Sequence, residues 1–222
     1  MQITSNNTNF KSRCKAIETA NQACRQLSLL SSSKKNFVLN DLKQKNKITN
    51  INFEYNRFKS AIYDYTLLNR KIRKLRNGKG HFELGGIRLL LEQVSNLHVG
   101  NCGESAEFVA LVLNMNGFKN ACVTTLRSEF SPIDHEVCIF NKNSKPFYGH
   151  IENNETIIAD PWSGIVDFAN TALKRISATC ADYFHIDKDQ KIMINPKFIH
   201  SLKLNENDLS CLREEHPELI FK

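Results

Sequence analysis

Apolar residues recur at helical spacing early in the chain. Ala16, Ile17, Ala20, Ala23, Leu27 and Leu30 form one stripe that runs out in Ser31-Ser32-Ser33-Lys34-Lys35, which predicts a helix over residues 11–30. Residues 1–10 are polar and are expected to fray. After a short segment, Phe37 to Leu42, and a linker rich in Lys and Asn, a longer stripe follows. Phe53, Phe58, Ile62, Tyr65, Leu68, Ile72 and Leu75 predict a helix over 52–76, closed by Asn77-Gly78. Gly85-Gly86 then separates a short strand-like piece from a helix expected over 87–96.

The stretch Gly100-Asn101-Cys102-Gly103-Glu104-Ser105-Ala106 leads directly into a third helical run, with Val109, Ala110, Val112 and Leu113, which stops at Asn116-Gly117. Beyond Gly117 the period shortens to that of strands. Ala121 to Leu126, His135 to Phe140 and Thr156 to Asp160 read as β, separated by turn-like Asn141 to Pro146 and Asn153-Asn154. Residues 166–178 read as a helix with Ser163 as its candidate cap, and residues 206–215 as another capped by Asn205. Helices followed by a small antiparallel sheet make an α+β fold.

At 222 residues, with 14 phenylalanines, the chain can bury a real core. The simplest division is an N-terminal helical portion, residues 1–80, packed on a core formed by residues 81–222. No run reaches the ~18 apolar residues of a membrane span, and the N-terminus lacks the apolar core of a cleaved leader. Seven cysteines without a C-x-x-C pair argue against a closed zinc site or a disulfide framework. The histidines show no metal-ligand spacing, so no metal or other cofactor is expected. These features suit a reducing cytosol, either the cell's own or a host cytosol reached by secretion without a cleaved signal.

The net charge of +7 suits nucleic acid, an anionic membrane or an acidic protein. Much of it crowds the last turns of the 52–76 helix, where Arg70, Lys71, Arg73, Lys74 and Arg76 match the negative helix end. Arg73, Lys74 and Arg76 are candidate contacts for an acidic protein substrate. Few aromatics interleave with these cations, so nucleic acid is not the expected partner. Nothing in the pattern fixes an oligomeric state.

Cys102 carries the candidate chemistry. At a helix start, unpaired N–H groups and the positive end of the helix dipole favour a thiolate, and the flanking glycines admit a substrate closely. A lone cysteine there would ordinarily be structural, but His135 and Asp160 follow in a compatible order. A nucleophilic thiol needs a base within reach, and the base needs a third group to hold its tautomer. His135 and Asp160 can meet only if their strands are antiparallel neighbours, so that residues 141–155 act as a loop rather than supply an intervening strand at 147–151. Taken singly, His135 could be an ordinary strand histidine and Asp160 could simply open the Asp160-Pro161 turn. Asp134 faces the other side of its strand and is a poor orienting group.

Gly100-Asn101-Cys102-Gly103-Glu104 with its apolar helix, Asp134-His135-Glu136-Val137, and Ile157-Ile158-Ala159-Asp160-Pro161-Trp162 together resemble the papain-like and transglutaminase-like superfamily. The resemblance covers residues 96–165 and is greatest to the branch used by bacterial toxins and secreted effectors, which includes proteases, glutamine deamidases and transglutaminases. It implies Cys102 as nucleophile, His135 as general base and acid, and Asp160 as the orienting carboxylate. Asn96 and Asn101 are the candidate side-chain donors to an oxyanion, and Trp162 is a candidate substrate contact. The function implied is acyl transfer on a protein, by a glutamine deamidase or transglutaminase. A cysteine protease of the same fold and a binding module with an inert thiol are the alternatives. An arylamine acetyltransferase is disfavoured because its arginine-glycine lead-in to the nucleophile is missing.

Overall fold

The helix that begins at Cys102 is buried on nearly every side, as a helix apolar all round must be, and the molecule is built against it. The computed structural model describes residues 5–28, 82–92, 94, 102–130, 132–143, 145, 155–184 and 190–221. Within these residues lie α1 (Ser5–Ser28), α2 (Leu84–Glu92), α3 (Cys102–Met115), β1 (Cys122–Ser128), β2 (Pro132–Asn141), β3 (Thr156–Asp160) and β4 (Ile165–Phe168). They are followed by α4 (Ala169–Phe184), β5 (Ile192–Ser201), α5 (Glu206–Glu215) and a 3-10 turn at Pro217–Leu219. The fold of the described residues is α+β, five α-helices with a five-stranded antiparallel sheet of order β4-β3-β2-β1-β5.

Pleat alternation divides the core in two. Val123, Cys138, Phe140, Ile157, Ala159 and Val166 face the helices α1, α2, α3 and α5. Cys122, Val137, Ile139, Ile158 and Ile165 face α4, which contributes Ala169, Ala172, Leu173 and Ile176. In α1 the stripe Ala16, Ala20, Ala23 and Leu27 is buried in the same core as α3, so this helix is part of the body that carries Cys102. Small alanine side chains let it lie close to α3, β3 and β4.

The C-terminal end of α3 shows why Asn116-Gly117 stops it. Gly117 takes a φ of +86°, and its N–H bonds to the carbonyl of Asn114 while that of Phe118 reaches Leu113. This is a Schellman closure, which glycine allows without a Cβ clash. Asn116 also binds the tail: its Nδ2 donates to the Leu219 carbonyl at 2.8 Å and its Oδ1 accepts from Phe221 N–H at 2.8 Å. Asn205 caps α5 through a reciprocal pair with Asp208, as its position predicts.

Several expectations need correction. α1 starts at Ser5, inside the stretch expected to fray. Gly85 and Gly86 do not precede a helix but lie within α2, whose buried stripe of Ile87, Leu90 and Leu91 carries the turn past them. Residues 165–168 form a strand before α4 begins at Ala169, and Ser163 is not its cap. β5 has no counterpart among the expected strands. The segment 37–42, the helix over 52–76 and the boundary at residue 80 lie outside the described residues.

Candidate active site

Cys102 is the first residue of α3, half-buried, with its own N–H among those that lack an intrahelical acceptor. Glu104 lies in the same first turn, where an acidic side chain suits the positive helix end.

β2 and β3 pair directly, with Cys138 opposite Ala159 and Asn141 opposite Thr156. The Lys142 N–H bonds to Glu155 O at 2.9 Å and extends the ladder by a step, so no strand intervenes between them. Continuing that register sets Asp160 across from Val137, with His135 two residues further along the same side. Such diagonal neighbours can touch. They do: His135 Nε2 lies 3.0 Å from Asp160 Oδ2, with 2% and 0% of the side chains exposed.

His135 also sits where β2 leaves regular pairing with β1. Thr125 pairs with Glu136 and Arg127 with Pro132, so Ile133, Asp134 and His135 together stand opposite Leu126 alone. Ile133 and Val137 on either side of it belong to the α4-side core, as does Trp162 against the ring, and the same imidazole lies close enough to Cys102, at the start of α3, for the thiol to act on it. With Nε2 taken by Asp160, Nδ1 is the nitrogen left for the sulfur. Asp134 is exposed and takes no part.

Burial by itself would push the His135 pKa down. The Asp160 carboxylate, through its charge and hydrogen bond, outweighs burial with help from Cys102, and the imidazole rises from 6.5 to about 10. Burial likewise opposes ionisation of Asp160, but His135 and the Ser163 donors hold its carboxyl below the ordinary 3.8. The two effects agree on an imidazolium–carboxylate pair, desolvated and mutually compensated.

Trp162, expected among the substrate contacts, is buried, and its ring meets the imidazole edge-on with centroids 5.4 Å apart. It belongs to the α4-side core and covers the His135–Asp160 pair. Asp160 does open a turn as well as hold the histidine. Its Oδ1 accepts the N–H of Trp162 at 3.0 Å and of Ser163 at 3.3 Å, and Gly164 N–H returns to its carbonyl at 2.9 Å. Ser163 Oγ donates to Oδ2 at 2.6 Å. The sequence reading missed Ser163 in this place; an Asp-Pro-Trp-Ser-Gly turn with a hydroxyl three residues after the carboxylate was the available signal.

Asn96, Asn101, Arg73, Lys74 and Arg76 lie outside the described residues. Among the described cysteines, Cys24, Cys102, Cys122, Cys138 and Cys211 are free thiols. Burial raises the pKa of Cys24 and Cys138, and pushes that of Cys122 up to about 12. Among the described residues no group of three or more His, Cys, Asp or Glu side chains is arranged to hold a metal, and no helix is long and apolar enough to cross a membrane. Comparison with known protein families, characterised proteins and solved structures finds no match to this chain.

Proposed function

We propose that the chain is a cysteine-dependent acyl-transfer enzyme of the papain-like/transglutaminase-like kind, acting on glutamine side chains of a protein. The observation that carries this reading is the buried His135–Asp160 pair set against Cys102 at the N-terminus of a buried helix.

The thiolate sulfur of Cys102 attacks the carboxamide carbon, and the carbonyl π electrons move onto oxygen. N–H groups at the start of α3 stabilise that oxyanion, and Asn96 or Asn101 would add a side-chain donor. One such donor is worth roughly 3–4 kcal/mol where it has been measured. His135 gives its Nδ1 proton to the departing nitrogen, the C–N bond breaks, and ammonia leaves behind a thioester. Asp160 keeps Nε2–H engaged throughout, so a single nitrogen handles the proton. A water then gives its proton back to His135 and attacks the thioester, releasing glutamate and the thiol. An amine in place of water gives a crosslink.

The substrate is reached inside a reducing compartment, in keeping with the free thiols Cys24, Cys102, Cys122, Cys138 and Cys211. The cationic residues Arg73, Lys74 and Arg76 would favour an acidic protein. Intact mass spectrometry of candidate proteins incubated with the wild type and with Cys102→Ala tests the reading. A gain of about one dalton per site, or a crosslinked product, is expected only with the wild type. Cleaved chains would assign a protease instead, and identical spectra from the two proteins would remove the enzyme reading.

A further inference from the structure

We infer that Ser163 is a positioning residue for this chemistry, its hydroxyl fixing the Asp160 carboxylate in the orientation that holds the His135 ring. The inference rests on the acyl-transfer reading above and adds to it a residue outside the Cys-His-Asp set.

Oδ1 of Asp160 is tied to the backbone by the N–H groups of Trp162 and Ser163. Those two bonds fix one oxygen but leave the carboxylate free to tilt about it. Oδ2 is the oxygen that holds the ring, at 3.0 Å from His135 Nε2. A carboxylate oxygen has two lone-pair directions. With one directed at the imidazole, Ser163 Oγ occupies the other from 2.6 Å, a length typical of a hydroxyl on an ionised acceptor. Asp160 is wholly buried, so water is not available to replace that donor.

The turn itself is shaped to present the hydroxyl. Gly164 closes it with a φ of +72°, a conformation that a side chain resists, and its N–H returns to Asp160 O. Carboxylate, hydroxyl and both backbone donors thus belong to one segment, Asp160 to Gly164. Four donors converge on one carboxylate and keep it ionised, in line with the depressed Asp160 pKa, to which Ser163 contributes through both its side chain and its backbone.

The test compares the wild type, Ser163→Ala and Ser163→Thr by carbon-13 NMR titration of the Asp160 carboxyl, alongside the rate of Cys102 alkylation near pH 6. Ser163→Ala is expected to raise the carboxyl midpoint by about one pH unit, the equivalent of one hydrogen bond to a charged group. It should also slow alkylation by up to about tenfold, the rate equivalent of that one pH unit. Ser163→Thr, which keeps the hydroxyl, should stay close to the wild type. In an Asp160→Asn background the Ser163→Ala change should have no further effect on the rate, because it acts through Asp160. An unchanged midpoint in Ser163→Ala, or the same slowing with and without the Asp160 carboxylate, overturns the inference. A wild-type Cys102 that reacts no faster than exposed Cys211 defeats the acyl-transfer reading instead, while the midpoint reports on Ser163 alone.

Discussion

The carboxylate of Asp160 and the imidazole of His135 meet at 3.0 Å with both side chains sealed from solvent. A buried ion pair of this kind is a poor device for stability, since desolvation consumes much of the attraction, but losing one partner is costly. Such a pair makes chemical sense where the histidine must hold one tautomer and one direction, and here the ring is shared with a thiol at a helix start.

Alkylation should single out Cys102. Cys24, Cys122 and Cys138 are buried with raised pKa values, whereas Cys102 is only half-buried and lies beside His135. Iodoacetamide at pH 6–7, followed by peptide mass mapping, is expected to label Cys102 before exposed Cys211 in the folded protein. His135→Ala should remove that preference. Equal labelling of the two in the wild type would show that the thiol is not activated.

Stability should depend on pH through the buried pair. His135 is raised from 6.5 to about 10, so its contribution is complete below pH 6.5 and is lost as pH rises through 10. Asp160 is lowered from 3.8, so its contribution is complete above pH 3.8 and is lost as pH falls through its depressed value. The contribution of the pair is thus greatest between pH 3.8 and 6.5. The melting temperature of His135→Gln should run flatter than the wild type between pH 6.5 and 10. Parallel curves over that range would show that the pair carries no proton-linked stability.

The same substitution at two glycines should have opposite signs. Gly164 has a φ of +72°, so Gly164→Ala should cost roughly 1–2 kcal/mol and loosen the turn that carries Trp162 and Ser163. Gly85 lies in α2 with nothing within 4 Å of a built Cβ and no positive φ, so Gly85→Ala should stabilise by about 0.4–1 kcal/mol. Denaturant melts of the two variants measure both, and equal shifts of the same sign would contradict the backbone argument.

Asn205→Ala removes the side-chain half of the α5 capping box, the bond from Asp208 N–H to Asn205 Oδ1, and should lower stability by about 1 kcal/mol. Loss of that bond leaves Cys102 untouched, so its alkylation rate should not change, which makes this variant a control for effects of stability alone.

What could be read from the residues was what local physics fixes. The start and stop of α3, the α5 cap, the burial of Cys122 and Cys138, and the chain order of Cys102, His135 and Asp160 all follow from short-range patterns. The misreadings have physical causes too. β4 is only four residues long and runs straight into α4, so its apolar positions merge with a helical stripe. β5 is an edge strand whose alternation is broken where Asn195, Pro196, Lys197 and Phe198 stand opposite Thr125 alone. The bulge that carries His135 depends on partners across the sheet and leaves no mark in the alternation of its own strand. Ser163 reads as a helix cap because serine three residues after an aspartate serves either role, and only the turn geometry decides between them.

The account stands or falls on whether Cys102 accepts an acyl group. The most direct measurement is a stopped-flow reaction of the intact protein with p-nitrophenyl acetate, followed by mass mapping of the cysteines. The account predicts a burst of nitrophenolate approaching one equivalent and an acetyl group on Cys102, followed by slow turnover as the thioester hydrolyses. His135→Ala should slow the burst by about 100-fold or more, the usual contribution of a positioned acid–base group. No burst above that of Cys102→Ser, or acetylation that falls on Cys211 in preference to Cys102, would contradict it.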